Sequence, residues 1–394
     1  MRSDEHEVAE EPQKQDGRKE DVERQLHKLR RRLDGIDDKI VALLSERQTE
    51  VEQIIAFKKA HSLPVYHPAR EENLISRLRQ QGRKVGLDPD FVEELYRRVL
   101  RQSRVEQTAH MARRGVRAGA TVVSVGGNGA MGRYFCRWFA DAGYRIRVLG
   151  RQDWSEADAR CKDADLALVS VPIEVTTEVI ARLGPYLPIE CVLADVTSIK
   201  GPPLEAMLQA HNGPVVGLHP LFGPTTSTLD KQIVVATPGR NASSCQWLLD
   251  QFAAWGSIVI QADAGEHDDI MGVVQALRHF ATFAFGQFLR LKDIDLHRTL
   301  DFSSPIYRLE LVMVGRLFAQ DPSLYAEIIF ASPERRALIK DYVRCLNDNL
   351  TMLGRGDKAL FCEEFKKSAK WFASFSEQAI RESSYLIDKL IERF

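Results

Sequence analysis

The 394-residue chain carries 54 Lys and Arg against 55 Asp and Glu, a net charge of −1, so no global field favours nucleic acid or an anionic membrane. Its length requires two or three domains, each able to bury a core. Six scattered cysteines, with no CxxC and no His partner at metal-ligand spacing, exclude a zinc site and fit buried thiols in a reducing cytoplasm.

Residues 1–20 are charged and nearly devoid of large apolar residues, which predicts a disordered tail rather than a secretory signal. From Leu26 onward, Leu29, Leu33, Ile36, Ile40, Leu43, Leu44, Val51, Ile54 and Ile55 recur at spacings of three and four, the mark of one long amphipathic helix. Pro64 and Pro68 break it. A second helix is expected from Ala69 to Gln81, with Gly82 and Gly86 interrupting. Asp88 then caps a third helix that has Pro89 at its first position and carries Phe91, Leu95 and Val99. Three such helices cannot close a large core, so the module is expected to pair with a second copy. At about 100° per residue, Arg47 and Lys58 fall about 20° apart on a face shared with Val51 and Ile54. They read equally as snorkelling side chains or as an anion site.

Leu29-Arg30, Leu33-Asp34, Ile36-Asp37, Ala42 to Leu44, Glu46-Arg47, Lys58, Arg70-Glu71 and Ser103 to Gln107 resemble the all-helical chorismate mutase over roughly residues 22–108. The resemblance implies a dimer of crossed long helices, with Arg47, Lys58, Glu71, Ser103 and Gln107 lining one pocket and Arg30 supplied by the partner chain. Arg30 lies about 100° around the helix from Arg47, which agrees. His67 departs from the usual pattern. Chorismate rearranges to prephenate by an intramolecular pericyclic shift, so catalysis rests on holding the reactive conformer and stabilising charge on the breaking ether oxygen. Arg30 and Arg47 would clamp carboxylates, Lys58 and Gln107 would donate to the ether oxygen, and Glu71 would hold a hydroxyl.

Residues 109–119 are rich in Arg, Ala and Gly without an apolar period and read as a linker. Beyond it, the strand candidate Thr121–Val125 runs into Gly127-x-Gly129-Ala130-Met131-Gly132, followed by a helical run to Ala142 and a second strand candidate, 144–149. Strand, glycine turn, helix and strand within about 30 residues make a dinucleotide fingerprint. Gly127 is expected to allow the tight turn, Gly129 to admit a pyrophosphate and Gly132 to let helix meet strand, with the helix N-terminus facing the phosphates. Further strand candidates at 165–171, 191–196, 214–218, 233–237 and 257–261 alternate with helices, predicting a mostly parallel, doubly wound Rossmann-type sheet. The second strand ends Gly150-Arg151-Gln152-Asp153, where an acidic residue normally receives the ribose. Arg151 would suit a 2′-phosphate and Asp153 a ribose hydroxyl, so the residues leave NAD and NADP both open.

Ser170, the run Asp195 to Lys200 and His219 stand where strands should end. A lone His there is more often structural, but Gly217 and Pro220 fix the backbone around His219, while its competitors His267 and His279 fall on a predicted helix. From Gly265 the pattern is helical to the end. The apolar run 271–289 contains Arg278 and His279, which argues for a buried helix rather than a membrane span. Phe280, Phe283, Phe285 and Phe288 crowd this segment and suggest a subunit interface. Arg308 and Arg316, about 80° apart around a helix, read equally as surface ion pairs.

These motifs, with Glu266 to Asp268, Gln275 to Phe280, Ser303 to Glu310 and Val314 to Asp321, resemble prephenate dehydrogenase over about residues 120–390. With the mutase-like module in front, the chain resembles the fused chorismate mutase/prephenate dehydrogenase of bacterial tyrosine synthesis. The resemblance implies a cytoplasmic homodimer with an all-α mutase module (21–108), an α/β nucleotide domain (120–264) and an all-α dimerisation domain (265–394). It also implies NAD ahead of NADP, His219 as base with an acid limb near its ordinary value of about 6.5, Ser198 as a hydroxyl-bearing neighbour, Lys200 as a polar or cationic wall, and Arg308 and Arg316 as carboxylate anchors. Ser170 would join the cofactor site, and tyrosine, which shares the para-hydroxyl and carboxylate tail, would inhibit. A different NAD(P)-dependent hydroxyacid dehydrogenase would have no use for the mutase-like helix. A nucleotide-sensing regulator with a helical dimerising arm would need neither Arg47 beside Lys58 nor His219 beside Arg316.

Overall fold

The computed structural model describes residues 12–60, 68–111, 115–117 and 119–391. No helix among them is long and apolar enough to cross a membrane. The chain parts after residue 112 into two compact units.

The first unit consists of α1 (Pro12–Ala60), α2 (Pro68–Lys84) and α3 (Pro89–Met111). At 49 residues, α1 is roughly 70 Å long. It starts inside the segment whose composition predicts disorder, because Gln, Lys, Arg and Glu are good helix formers even where they are too polar to build a core. The second helix likewise runs on through Gly82. A Cβ at that position would lie 2.8 Å from Val92 Cγ2, so the glycine serves the close approach of α2 to α3 rather than ending a helix. Asp88 caps α3 as expected, its Oδ1 accepting from the Asp90 N–H at 2.9 Å. Val51, Ile55, Ile75 and Val92 form a small buried centre. Leu29, Leu33, Ile36, Ile40 and Leu43 stay about half exposed or more, an apolar stripe with no cover inside one chain.

The second unit is built on seven strands in the order β2-β1-β3-β4-β5-β6-β7. In chain order its first part runs β1 (Thr121–Val125), α4 (Ala130–Asp141), β2 (Arg145–Leu149), α5 (Ala157–Cys161), β3 (Leu166–Val169), α6 (Ile173–Leu183), β4 (Val192–Asp195), α7 (Gly201–Ala210), β5 (Val215–Pro220), β6 (Ile233–Pro238), α8 (Ala242–Ala254) and β7 (Ile258–Gln261). Every predicted strand is present at nearly its predicted ends. All pairs are parallel except β5 with β6. Right-handed crossovers put α4 and α8 on one face and α5, α6 and α7 on the other. Phe135 of α4 meets Phe252 of α8 edge-on at 5.7 Å, while Val123, Val125, Ala167 and Leu193 pack with Cys161, Ile180, Leu183 and Met207 on the second face. The winding reverses between β1 and β3, the crevice where such sheets bind ligands.

The rest of the unit is helical. α9 (Ala264–Met271) passes through a π-helical turn, Gly272–Leu277, into α10 (Arg278–Leu291). There follow α11 (Leu296–Asp301), α12 (Pro305–Phe318), α13 (Pro322–Phe330), α14 (Pro333–Gly354) and α15 (Lys358–Ile391), which kinks at Ala373. Asp263, Asp295, Ser304, Asp321 and Ser332 cap α9 and α11 to α14 with their side chains, and proline opens the last three of these helices. Phe288, Phe302, Val312, Phe365 and Trp371 are all exposed by half or more.

Candidate active sites

The parallel strands β1, β3, β4 and β5 deliver their carboxyl ends to one edge of the sheet. The tight turn after β1 falls on Gly126 (φ +79°), not on Gly127 as expected. A side chain at Gly126 would run into the Ser170 carbonyl at the end of β3, and Ser170 N–H in turn donates to Val125 O at 2.8 Å. Gly127 instead makes room for Val148, which a Cβ would meet at 3.0 Å. Gly132 brings α4 against the turn, where a Cβ would lie 2.7 Å from the Gly127 Cα. Gly129 opens α4, with Ala130 and Met131 in the first turn, and a Cβ there would meet only the Gly126 carbonyl at 3.3 Å. The ground above the helix N-terminus is therefore open to a pyrophosphate. At the ribose end Asp153 folds back, accepting from the Gly150 N–H at 2.8 Å and pairing with Arg160 at 3.2 Å, while Arg151 is exposed.

His219 lies near the end of β5, 3% exposed. Its Nδ1 is 2.8 Å from His267 Nε2, and His267 Nδ1 is 2.8 Å from Asp268 Oδ1. The Gln275 amide, on the π-helical turn, stands 3.3 Å from His219 Nε2. Asp268 also accepts from the backbone N–H groups of Lys200 (2.8 Å) and Gly201 (2.9 Å), capping α7. Lys200 is fully buried, its ammonium 2.5 Å from Asp195 and donating to Leu218 O at 2.8 Å. Burial pulls that ammonium below its ordinary value while Asp195 holds it up. Burial, with the positive charge of Lys200 and further contributions from His267 and Arg335, pushes His219 well below 6.5. The imidazole is therefore neutral at pH 7, and its titration lies lower than the ordinary value expected from sequence.

The remaining dehydrogenase candidates lie further apart. Lys200 exposes no surface, so it acts on His219 through charge and not as a wall of the cleft. Ser198 is half-buried in the loop after β4, without a hydrogen bond to His219 among the described residues. Arg308 donates to Leu300 O at 2.5 Å, tying α12 to α11. Arg316 is exposed and, with Arg278, lies close enough to Tyr325 to act on its phenol, whose ring meets His279 edge-on at 4.8 Å.

In the first unit Arg47 donates to Ser103 Oγ at 2.7 Å, and Ser103 is 4% exposed. Both oxygens of Glu71 accept from one nitrogen of Arg104, Nη1, at 2.6 and 2.8 Å. Arg30 is exposed on α1. The side chains of Lys58 and Gln107, and His67 altogether, lie outside the described residues, as do residues 112–114 and 118 of the predicted linker. α3 continues to Met111, into the predicted linker. Thus Arg47, Ser103 and the Glu71–Arg104 pair converge on the inner faces of α1, α2 and α3.

Sequence profiles match the chain in three consecutive blocks: chorismate mutase type II over residues 29–108, the prephenate dehydrogenase nucleotide-binding domain over 144–258 and the prephenate dehydrogenase dimerization domain over 263–367. The T-protein of Enterobacter agglomerans is 42% identical over 92% of this chain and 97% of its own length, and that of Haemophilus influenzae 40% over the same shares. The chain belongs to the T-protein family, chorismate mutase fused to prephenate dehydrogenase. A solved prephenate dehydrogenase from Aquifex aeolicus, in complex with hydroxyphenyl propionate and NAD+, superposes on 68% of this chain and 99% of its own with a TM-score of 0.52 at 18% identity, a likeness of fold.

Gly126, Arg104 and Arg335 were not singled out in the sequence, while His267 stood there only as a competing base and Asp268 and Gln275 only as parts of the family motifs. Gly126 was legible as the first of two adjacent glycines ending a strand. His267-Asp268 was visible as a His beside an acid at a helix start, but nothing local aims it at a histidine 48 residues away.

Proposed function

We propose the following division of labour in a chain that converts chorismate to prephenate and then oxidatively decarboxylates prephenate to 4-hydroxyphenylpyruvate, in tyrosine biosynthesis. The mutase pocket uses Arg47, Ser103 and Glu71 with Lys58 and Gln107, and Arg30 of the second copy. Ser103 orients the Arg47 guanidinium, and Arg104 holds the Glu71 carboxylate, so both groups are ordered before substrate arrives. The apolar stripe on α1 and the exposed aromatic residues of α10 to α15 support a homodimer built through both units.

In the dehydrogenase the open helix start at Gly129 to Gly132 and the strand ends at Gly126 and Ser170 fit a dinucleotide. Bound there, NAD(P) supplies the hydride acceptor. His219 receives the proton of the ring hydroxyl as hydride leaves the same carbon. Loss of carbon dioxide then returns an electron pair to the ring, and the resulting phenolate oxygen takes the proton back from His219. Arg316, exposed beside Tyr325, is the proposed carboxylate anchor, with Arg308 supporting α12 and Ser198 lining the cleft. NAD is the proposed cofactor, with NADP accommodated by Arg151, since Asp153 is already engaged by Gly150 and Arg160. Tyrosine is proposed to inhibit by occupying the prephenate pocket. Burial pushes the Cys161 and Cys245 thiols up to about 11 and Cys191 up to about 12, leaving them inert, which suits a cytoplasmic enzyme.

The observation that carries this reading is a neutral, buried His219 at the strand end, joined to His267 and Gln275 of the helical layer. One assay tests it: chorismate with NAD or NADP, followed at the nicotinamide absorbance and for 4-hydroxyphenylpyruvate, with and without millimolar tyrosine. Product without nicotinamide reduction would overturn the dehydrogenase role, and an unaffected rate would remove tyrosine.

A further inference from the structure

Two side chains, His267 and Asp268, stand in line behind the base. Asp268 is the fixed end, because its two oxygens accept from the Lys200 N–H, the Gly201 N–H and His267 Nδ1, all within 2.9 Å. Burial would raise this carboxyl, but the hydrogen bonds from His267 and the two backbone N–H groups bring it below its ordinary range. It is therefore an ionised, acceptor-only group, and His267 must donate to it from Nδ1.

The remaining protons follow. A neutral His267 with its hydrogen on Nδ1 has its lone pair on Nε2, and that nitrogen lies 2.8 Å from His219 Nδ1. His219 must then carry its hydrogen on Nδ1, which leaves the lone pair on Nε2, the nitrogen facing Gln275. The reverse order would require protons on both nitrogens of His267. That would add a cation to a cluster that already contains Lys200 from the start of α7 and Arg335 from α14, whose guanidinium reaches Asp268 only at 4.0 Å.

We propose that His267 and Asp268 are positioning residues that set the tautomer of His219, presenting the Nε2 lone pair to the substrate hydroxyl and accepting the Nδ1 hydrogen bond that steadies the imidazolium during turnover. This rests on His219 being the base. Because the reaction returns the proton to the product, the pair does not export it. It holds the ring in one orientation while the charge comes and goes, as the buried carboxylate does in hydrolase triads.

The test compares full-length His267→Leu, His267→Gln and Asp268→Asn with His219→Asn, using mutase turnover to report folding. Leu removes the acceptor, whereas the Gln carbonyl can still accept from His219 Nδ1–H. His267→Leu is expected to lower dehydrogenase kcat about 10²-fold with little change in the KM for prephenate, and to move the acid limb to lower pH because the imidazolium has lost its acceptor. His267→Gln is expected to recover about tenfold of that loss. Asp268→Asn can donate to His267 Nδ1, reverse the whole chain of protons and cut kcat at least as far as Leu does. Wild-type kcat and acid limb in His267→Leu, or His267→Gln no better than Leu, overturn the inference. Full turnover in His219→Asn would instead overturn the base itself, so the two failures are distinguishable.

Discussion

At the scale of single residues, environment decides role. His219 and Lys200 were both readable as polar residues at strand ends, yet His219 meets two neutral side-chain partners, His267 and Gln275, while Lys200 is wholly consumed by Asp195 and Leu218 O. His219→Asn should lower turnover by roughly 10²–10⁴-fold with little change in prephenate affinity. Since burial and Lys200 depress the imidazole, the wild-type dehydrogenase should keep its rate below pH 6.5 and lose it only as the pH falls through the lower, folded value. An acid limb at 6.5 or above would contradict this. In the first unit, Arg47→Ala takes the donor from Ser103 Oγ, which keeps its bond to Val99 O, and removes the proposed charge-assisted clamp. Loss of about 2–5 kcal/mol of transition-state stabilisation is expected in mutase kcat/KM, with prephenate oxidation unchanged. Separate assays on the two substrates check it.

Among the elements, the glycine turn separates two kinds of glycine that a fingerprint treats alike. Gly132 faces backbone of the preceding turn, which cannot yield as a flexible side chain could, so Gly132→Ala should push α4 from β1 and lower both Tm and cofactor affinity. At Gly129 a Cβ would meet a single backbone oxygen, that of Gly126 at 3.3 Å, so Gly129→Ala should raise the KM for NAD(P) by about tenfold or more while leaving Tm within a few degrees. Equal melting losses in the two variants would refute the distinction. The π-helical turn at Gly272–Leu277 was hidden from a reading of apolar periodicity, which treated 271–289 as one helix. One extra residue per turn is invisible to a pattern averaged over several turns, yet it belongs to the segment that places Gln275 beside His219.

For the whole molecule, the second unit stores its pH sensitivity in buried histidines. His211 and His219 are pushed down by burial, and His279 is lowered to about 4 by burial and Arg278. Each binds its proton more readily when unfolded, so stability is fully present above pH 6.5 and declines as pH falls from 6.5 toward the folded values, about 4 for His279. Asp268, held below its ordinary range, adds a loss at still lower pH. Melting followed from pH 7.5 to 4.5 should show Tm falling across that window, and a flat profile would mean that these imidazoles are solvated. The sheet, its strand positions and the order of the modules were legible because alternation, helical period and glycine spacing act over short stretches of chain. The mutase cluster was legible in part: Arg47 and Ser103 came from resemblance, while the capture of Glu71 by Arg104 depends on α2 and α3 packing across 33 residues. What only the tertiary structure decided is which polar groups touch: the His219–His267–Asp268 line, the burial of Lys200 and the withdrawal of Asp153 from the ribose end. The first joins residues 48 apart and the other two are set by the turns after β4 and β2, and the free energy of such contacts appears only after the core has closed around them.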